Sequence, residues 1–436
     1  MIIELVIKNW LSFRDETVFS MVTQGEKRLL NRVPQIRSKP VLNVNPVAVL
    51  YGGNASGKSN LLSFFAFLKL LVLYPIHEQE QEIPLQQYVL SKSSSKNPTL
   101  VDFTFLTADN HIFTLHLLLE KDRILEESLS MEDGLSQMRM LYKREGNVVS
   151  LLDDELKNNE KAKAFKEIIR QNQLYLAIAS PEVKLLESAR RWFSRQLKVI
   201  DIDAILSRSG HWYIDDNKRE KIGELLEKLD TGIQKLKLFE DNKDNVSSKI
   251  YDEIKNDLAN SDVSTVEVRK GKTRIYISKQ KEKILFQRLM SFHKSEDGDK
   301  LFDLEMEADG TIRLLDILPV FLDLEDASLK PVYIMDEFGR NWHYLLSKKL
   351  LTSYLASCSK TSRSQLIFST HDLMMMDQNL FRRSEMFITE RAQDGASSVS
   401  SLNISGLRYD KDIRKIYLQG KLGGIPCLRH YGLLSD

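Results

Sequence analysis

Leu50-Tyr51-Gly52-Gly53-Asn54-Ala55-Ser56-Gly57-Lys58-Ser59-Asn60-Leu61-Leu62 contains a complete GxxxxGK[ST] pattern over residues 52–59. Residues 46–51 (PVAVLY) are a continuous apolar run ending in glycines, the pattern of a strand buried on both faces. Residues 60–73 read as a helix, so the order is strand, glycine loop, helix, which is the context this pattern requires. The glycines let backbone N–H groups converge on phosphate oxygens, and the helix N-terminus adds its partial positive charge. Lys58 is then the cation for the β- and γ-phosphates, and the Ser59 hydroxyl is a ligand for Mg²⁺. The nucleotide-contacting candidates are Gly52, Gly53, Asn54, Ala55, Ser56, Gly57, Lys58, Ser59 and Asn60, with ATP as the expected ligand.

Two further segments extend this reading. Residues 331–335 form an apolar strand that ends in Asp336 and Glu337. Carboxylates at strand ends sit at the phosphate-binding edge of a parallel sheet, where Asp336 would hold Mg²⁺ through water and Glu337 would orient or deprotonate the attacking water. Residues 365–372 (QLIFSTHD) are another apolar strand, ending in His371, whose imidazole is placed to meet a terminal phosphate. A lone histidine is ordinarily structural. Its position after two other strand-end motifs is what singles this one out.

The composition excludes several classes. The chain has 436 residues, 62 Lys plus Arg against 61 Asp plus Glu, a net charge of +1, 42% hydrophobic and 28% charged residues. That is ordinary globular composition, long enough for two or three domains, and it argues against disorder or a strongly basic nucleic-acid coat. Cys358 and Cys427 cannot make a disulfide framework, and no CxxC or Cys/His spacing suggests zinc. A reducing cytoplasm and no secretory signal are expected, because Glu4 interrupts the N-terminus before any apolar core. The apolar stretch 61–76 carries Ser63 and Lys69 and falls short of the roughly 20 apolar residues of a membrane span, so it reads as a buried helix.

The patterning predicts an α/β fold in three stretches. In 1–152, Ile3, Leu5 and Ile7 alternate with Glu4, Val6 and Lys8, the glycine loop follows, and segments such as VDFTFL, HIFTLHLLL, MRMLYK and NVVSLL then form an antiparallel β region. In 153–260 the pattern turns helical, with Ile222, Leu225, Leu226, Leu229, Ile233 and Leu236 at helical spacings. Gly223 and Gly232 argue against a long coiled-coil arm there. In 261–436 a hairpin around Gly271 precedes a second α/β half. No internal repeat of 20 to 50 residues is present.

The order of motifs resembles the ABC-type ATPase heads of SMC, DNA-break-repair and overcoming-lysogenization-defect proteins, and residues 7–13 (IKNWLSF) are similar to the start of that clade. More closely, the chain resembles bacterial abortive-infection and anti-phage ATPases, through LYGGNASGKSNLL at 50–62, EADGTIRLLDILP at 307–319, DEFGRNWH at 336–343, QLIFSTHD at 365–372 and YLQGKLGGIP at 417–426. The resemblance implies an ABC-type P-loop ATPase head with an antiparallel β subdomain and a helical insertion. It also implies that 307–313 is the signature segment, which reaches across a head-to-tail dimer to the partner's nucleotide. The family's usual serine is replaced by Ala308, which leaves the Gly310 amide and the following helix N-terminus for that contact. His343 fills the position that resembles the D-loop, and Gln86 or Gln87 the lid glutamine.

The expected function is an ATP-hydrolysing switch that forms a homodimer or higher oligomer and controls a separate nuclease or toxin in phage defence. The 65 residues after His371 show no run of metal-binding carboxylates that would mark an attached nuclease. Ala308 keeps open a nucleotide-gated scaffold with little turnover. DNA stays open as a partner through Arg190-Arg191-Trp192-Phe193-Ser194-Arg195 and the tip 269–274 (RKGKTR), although at neutral overall charge such segments are more often solvated faces, and Arg382-Arg383 is a weaker signal still. A DNA-repair ATPase would need long coiled-coil arms or a basic groove, neither of which the sequence shows strongly.

Overall fold

The computed structural model describes residues 1–23, 25–78, 80–91, 97–132, 138–200, 206–207, 211–260, 265–280, 283–403 and 411–425. The chain divides into two compact units, one of Met1–Ile200, Leu324–Gly339 and Lys348–Asp436, the other of Asp201–Asp323 and Arg340–Ser347.

The first unit holds two large sheets and a short antiparallel pair, Gln35–Ile36 with Leu42–Asn43. Val47–Tyr51, buried at every residue, lies parallel between Gln365–Ser369 and Met386–Arg391. The full order is Leu197–Ile200, Val332–Met335, Gln365–Ser369, Val47–Tyr51, Met386–Arg391 and Ser397–Ser401, with only the last strand antiparallel. A seven-stranded antiparallel sheet runs Val148–Leu151, Arg139–Glu145, Ile124–Glu132, Ile112–Leu119, Thr99–Leu106, Ile2–Lys8 and Thr17–Ser20. The alternation expected at the N-terminus holds, with Leu5 and Ile7 fully buried and Lys8 exposed.

The helix Lys58–Leu73 buries Leu61, Phe64, Phe65, Leu68, Leu71 and Val72, so it lies in the core on more than one face. Each such side chain contributes about 1.5–3 kcal/mol. Trp10 packs edge-on to Phe64 at 5.4 Å and tilted on Phe67 at 4.9 Å, and its indole N–H donates to Asn60 O at 2.8 Å. No helix among the described residues is long and apolar enough to cross a membrane.

Strand Ile124–Glu132 has no counterpart in the sequence reading, because Glu126-Glu127 hides its alternation. Glu127 is fully buried: it accepts Tyr142 O–H at 2.7 Å and the N–H groups of Tyr175 and Leu176 at 2.8 and 2.9 Å. These two amides open the helix Tyr175–Ala179, so the carboxylate ties that helix to the sheet. Arg144, also fully buried, stands 3.6 Å from Glu127 and donates to the carbonyls of Gly146, Arg170 and Gln173.

In the second unit the strands Leu206–Ser207, Thr265–Lys270, Thr273–Gln280, Lys283–Ser295 and Ile233–Glu240 form an antiparallel sheet, with Gly298–Asp303 paired to Lys283–Ser295. The hairpin expected around Gly271 is present, with that glycine left-handed at φ 58°. The helical seam is shorter than its spacing suggests. The helix Asp216–Lys228 stops where Asp230 and Gly232 take φ of 59° and 79°, so Ile233 and Leu236 belong to a strand. A Cβ at Gly223 would meet Lys235 Cα at 3.4 Å, an ordinary contact distance, so helix and strand lie close together there.

The segments that kept DNA open are altered by tertiary contacts. Trp192 and Phe193 are fully buried against Phe105, which removes both rings as a stacking platform. Arg269 and Arg274 are paired with Glu267 and Asp316 at 3.1–3.6 Å and are nearly buried. Arg382 and Arg383 are buried as well, Arg382 donating to Glu26 O at 2.7 Å.

Replacing Glu127 by Ala strands the Arg144 guanidinium without its counter-charge and opens the cap of Tyr175–Ala179. We expect a loss of about 3–5 kcal/mol in denaturant unfolding. A loss under about 1 kcal/mol contradicts this account.

Candidate nucleotide site

Strands Val332–Met335, Gln365–Ser369 and Val47–Tyr51 are parallel neighbours, with Ile334 opposite Ile367 and Phe368 opposite Val49. Parallel strands bring their C-terminal ends to one edge, so the three segments that follow them leave the sheet side by side. These segments are 336–337, 370–371 and the glycine loop 52–57.

The loop needs its glycines for two separate reasons. At Gly52 (φ 153°) a Cβ would lie 2.4 Å from Thr389 O and 2.6 Å from Ser56 Oγ, and at Gly57 (φ 109°) it would lie 2.7 Å from Ser397 Oγ. Ala55 is left-handed at φ 59°. Behind the loop, Thr389 Oγ1 donates to Tyr51 O at 3.1 Å and stands 2.6 Å from Ser56 Oγ, which pins the turn to the neighbouring strand.

Lys58 begins the helix and donates to Gly52 O at 2.9 Å and Gly53 O at 3.0 Å. Burial pulls its ammonium below the usual lysine range, opposed by the charges of Asp336 and Glu337. Asp336 accepts the Ser369 hydroxyl and the Glu337 N–H at 3.1 Å, and that N–H also meets Ser369 Oγ at 2.9 Å. Phe338 N–H donates to Ser369 O at 2.8 Å, and Thr370 Oγ1 donates to Phe338 O at 3.0 Å. This lattice holds Glu337 at φ 51°, a left-handed conformation that costs on the order of 1–3 kcal/mol for a residue bearing a Cβ.

Asn54, Ala55, Ser56, Gly57, Lys58, Ser59 and Asn60 line one cleft of about 1080 Å³ with Asp336, Glu337 and His371. Gly52 and Gly53 stand behind the lining and act through their carbonyls on Lys58. Asn60 donates its amide to Ser12 Oγ at 2.8 Å, so its side chain ties the helix to the N-terminal segment. Of the two candidate lid glutamines, both line the cleft. Gln87 spends its amide on Asn97 O at 2.8 Å, whereas Gln86 is exposed and uses its backbone carbonyl to accept Leu11 N–H. Leu11, Leu90, Lys121 and Arg391 complete an apolar wall and two further cations.

Burial, then the nearby Lys58 charge, pulls the His371 imidazole below its ordinary value against the opposing effect of Glu337 and Asp336. Burial and the Lys58 charge both favour the neutral imidazole over its charged form. Gly310 and His343 belong to the second unit. Gly310 sits near the start of helix Asp309–Glu325, where a Cβ would lie 2.6 Å from Asn341 O, so its identity already has a packing reason. His343 Nδ1 accepts Leu345 N–H at 3.2 Å at the start of helix Tyr344–Ser357.

The donor set fits a triphosphate with Mg²⁺: a cradle closed to any Cβ, a buried lysine, a hydroxyl at Ser59 and paired carboxylates at Asp336 and Glu337. Ser369 and Thr389, which hold this arrangement, were not singled out from the sequence. Ser369 precedes Thr370-His371 directly and was the more accessible of the two, whereas Thr389 lies on a strand that carries no motif.

Fold and site together define a P-loop nucleotide-binding ATPase head of mixed α/β architecture. The family model described as "AAA domain, putative AbiEii toxin, Type IV TA system" matches residues 47–377, and the chain belongs to this family. Among solved structures it is similar to the SMC head domain from Thermotoga maritima, at 10% identity over 92% of this chain and 99% of that one with a TM-score of 0.35. It is also similar to the recombination mediator protein RecF with ATP, at 12% identity over 92% and 97% with a TM-score of 0.36. No curated protein matches it.

Ser369→Ala removes the hydroxyl that serves Asp336 and Glu337 together. A hydrogen bond to a charged group is worth about 1.5–3 kcal/mol, and unfolding in urea should show a loss in that range. An unchanged midpoint would show that Ser369 does not hold this turn.

Proposed function

We propose that this protein is an ATP-binding and ATP-hydrolysing switch. The observation that carries the reading is that Lys58, Ser59, Asp336, Glu337 and His371, from three distant segments, line a single cleft. Loop amides and Lys58 would hold the phosphates, and Ser59 and Asp336 would hold Mg²⁺, which supplies charge neutralisation on the phosphate oxygens. Glu337, aimed by its left-handed backbone, would orient a water and accept its proton. Neutral His371 would hydrogen-bond the terminal phosphate, and Gln86 is the better lid candidate because the amide of Gln87 is engaged.

We infer further that two copies associate head-to-tail, with Gly310 and the N-terminus of Asp309–Glu325 serving the partner's nucleotide and His343 beside it. The description of the family names a toxin and a toxin–antitoxin system. It supports a role in which nucleotide state controls a separate toxin or nuclease in phage defence, inside the cytoplasm. Ala308 favours a second reading, because it lacks the hydroxyl at the signature position: tight ATP binding and assembly with little turnover.

Turnover and mass in solution, measured on wild type, Lys58→Ala and Glu337→Gln with and without Mg²⁺ and ATP, separate the two. The switch predicts that Lys58→Ala abolishes nucleotide binding. It also predicts that Glu337→Gln loses about 10²–10⁴-fold in turnover while trapping an ATP-bound dimer. Wild type that binds ATP and assembles without releasing phosphate establishes the scaffold instead.

A further inference from the structure

Residues 417–425 carry the YLQGKLGGI sequence, to which the site described above assigns no role. In the structure they reach the back of the glycine loop. Helix Ile413–Leu418 begins at Asp412, whose carboxylate accepts Lys415 N–H at 3.2 Å, and it buries Ile413 and Tyr417. A turn follows in which Gly420, Gly423 and Gly424 are left-handed at φ 77°, 73° and 69°. The carbonyl of Gly424 accepts Gly53 N–H at 2.8 Å and Tyr417 O–H at 2.9 Å. Gly424 is fitted closely to the strand beneath, where a Cβ would lie 2.5 Å from Ile388 Cγ2 and 3.0 Å from Thr389 O.

Gly53 N–H and Gly52 C=O belong to one trans peptide unit and point in opposite directions. The N–H end is held by Gly424 O and the C=O end by Lys58 Nζ at 2.9 Å. The result is a continuous hydrogen-bonded chain of Gly424 carbonyl, Gly52–Gly53 peptide and Lys58 ammonium, the last also donating to Gly53 O at 3.0 Å. A cation on the carbonyl end polarises the peptide and strengthens its N–H as a donor. The other end of the same segment touches the turn after His371, where Gln378 Nε2 donates to Lys411 O at 2.8 Å and Arg414 lies 3.2 Å from Met374 Sδ.

We propose that Gly424 and Tyr417 are positioning residues of the nucleotide loop, and that residues 411–425 form a strap whose grip depends on what Lys58 holds. An anionic phosphate competes with Gly52 O for the same ammonium. When Lys58 turns to phosphate, the peptide loses its polarising cation, Gly53 becomes a weaker donor and the strap loosens. By reciprocity, a strap loosened in advance leaves Lys58 freer for phosphate, so nucleotide binds more tightly. The response to nucleotide rests on the nucleotide reading above; the link between Lys58 and Gly424 does not.

The test is backbone amide exchange of the full-length protein, read by mass spectrometry on peptides spanning 411–425, beside calorimetric titration with ATP and Mg²⁺. Lys58→Ala without nucleotide should speed exchange in 411–425, as should ATP added to wild type. Tyr417→Phe, which removes only the O–H, should speed it too and tighten ATP by about threefold, the scale of one hydrogen bond. Unchanged exchange in Lys58→Ala overturns the link. Measurable ATP binding by wild type with unchanged or slowed exchange, or an unaltered affinity in Tyr417→Phe, overturns the coupling. Wild type that shows no ATP binding in the titration sinks the nucleotide reading separately, and exchange in Lys58→Ala still decides the link.

Discussion

The central constraint is the burial of Val47–Tyr51 on both faces between two parallel neighbours. A five-residue strand without solvent contact can neither shift register nor tilt without exposing apolar side chains or breaking ladder bonds. The glycine loop, the two carboxylates and the histidine of the cleft all hang from the C-terminal ends of this strand and those beside it. The glycine loop continues Val47–Tyr51, His371 follows Gln365–Ser369, Asp336 and Glu337 follow Val332–Met335, and Thr389 supports the loop from Met386–Arg391. The sheet therefore sets the distances among groups that lie hundreds of residues apart in sequence.

Some of the backbone strain lies where that edge meets the cleft. Gly52, Ala55, Gly57 and Glu337 all have positive φ, and bonds from other segments reach Glu337 itself and the loop residues Gly53 and Ser56. Ser369 serves the carboxylates, Thr389 serves Ser56, and Gly424 serves Gly53. Away from the cleft, buried charge stabilises each unit's own scaffold. Glu127 and Arg144 join a helix to the antiparallel sheet in the first unit, and Glu267, Arg269, Arg274 and Asp316 form a compact cluster in the second. Such clusters add little net stability compared with apolar packing, yet breaking one partner is costly, so they specify a single arrangement.

The parts of the fold legible in the sequence were those where one periodicity or one motif dominates. Ile2–Lys8, Val47–Tyr51, Gln365–Ser369 and the hairpin around Gly271 all announce themselves by alternation, continuous apolarity or a turn glycine. The reading failed where burial is polar or where spacing is shared between element types. Ile124–Glu132 was missed because a glutamate occupies a core position, which makes sense only once Tyr142, Tyr175, Leu176 and Arg144 surround it. Ile233 and Leu236 extend a helical spacing by coincidence, and two left-handed residues end the helix before them. Trp192 and Phe193 looked like a platform beside arginines, but aromatic rings flanked by cations look the same whether they face solvent or the core.

By itself, the sequence determined the class of chemistry: a glycine loop with Lys58 and Ser59, two strand-end carboxylates and a strand-end histidine are local patterns, and local patterns survive in a one-dimensional string. Only the tertiary structure decided which groups meet. It brought Asp336, Glu337 and His371 to Lys58, engaged one of two equivalent glutamines, buried Trp192, Phe193, Arg382 and Arg383, paired Arg269 and Arg274 with carboxylates, and set the Gly424 carbonyl against Gly53. Contacts of this kind depend on long-range strand order and on the desolvation of individual polar groups, neither of which leaves a periodic trace in the chain.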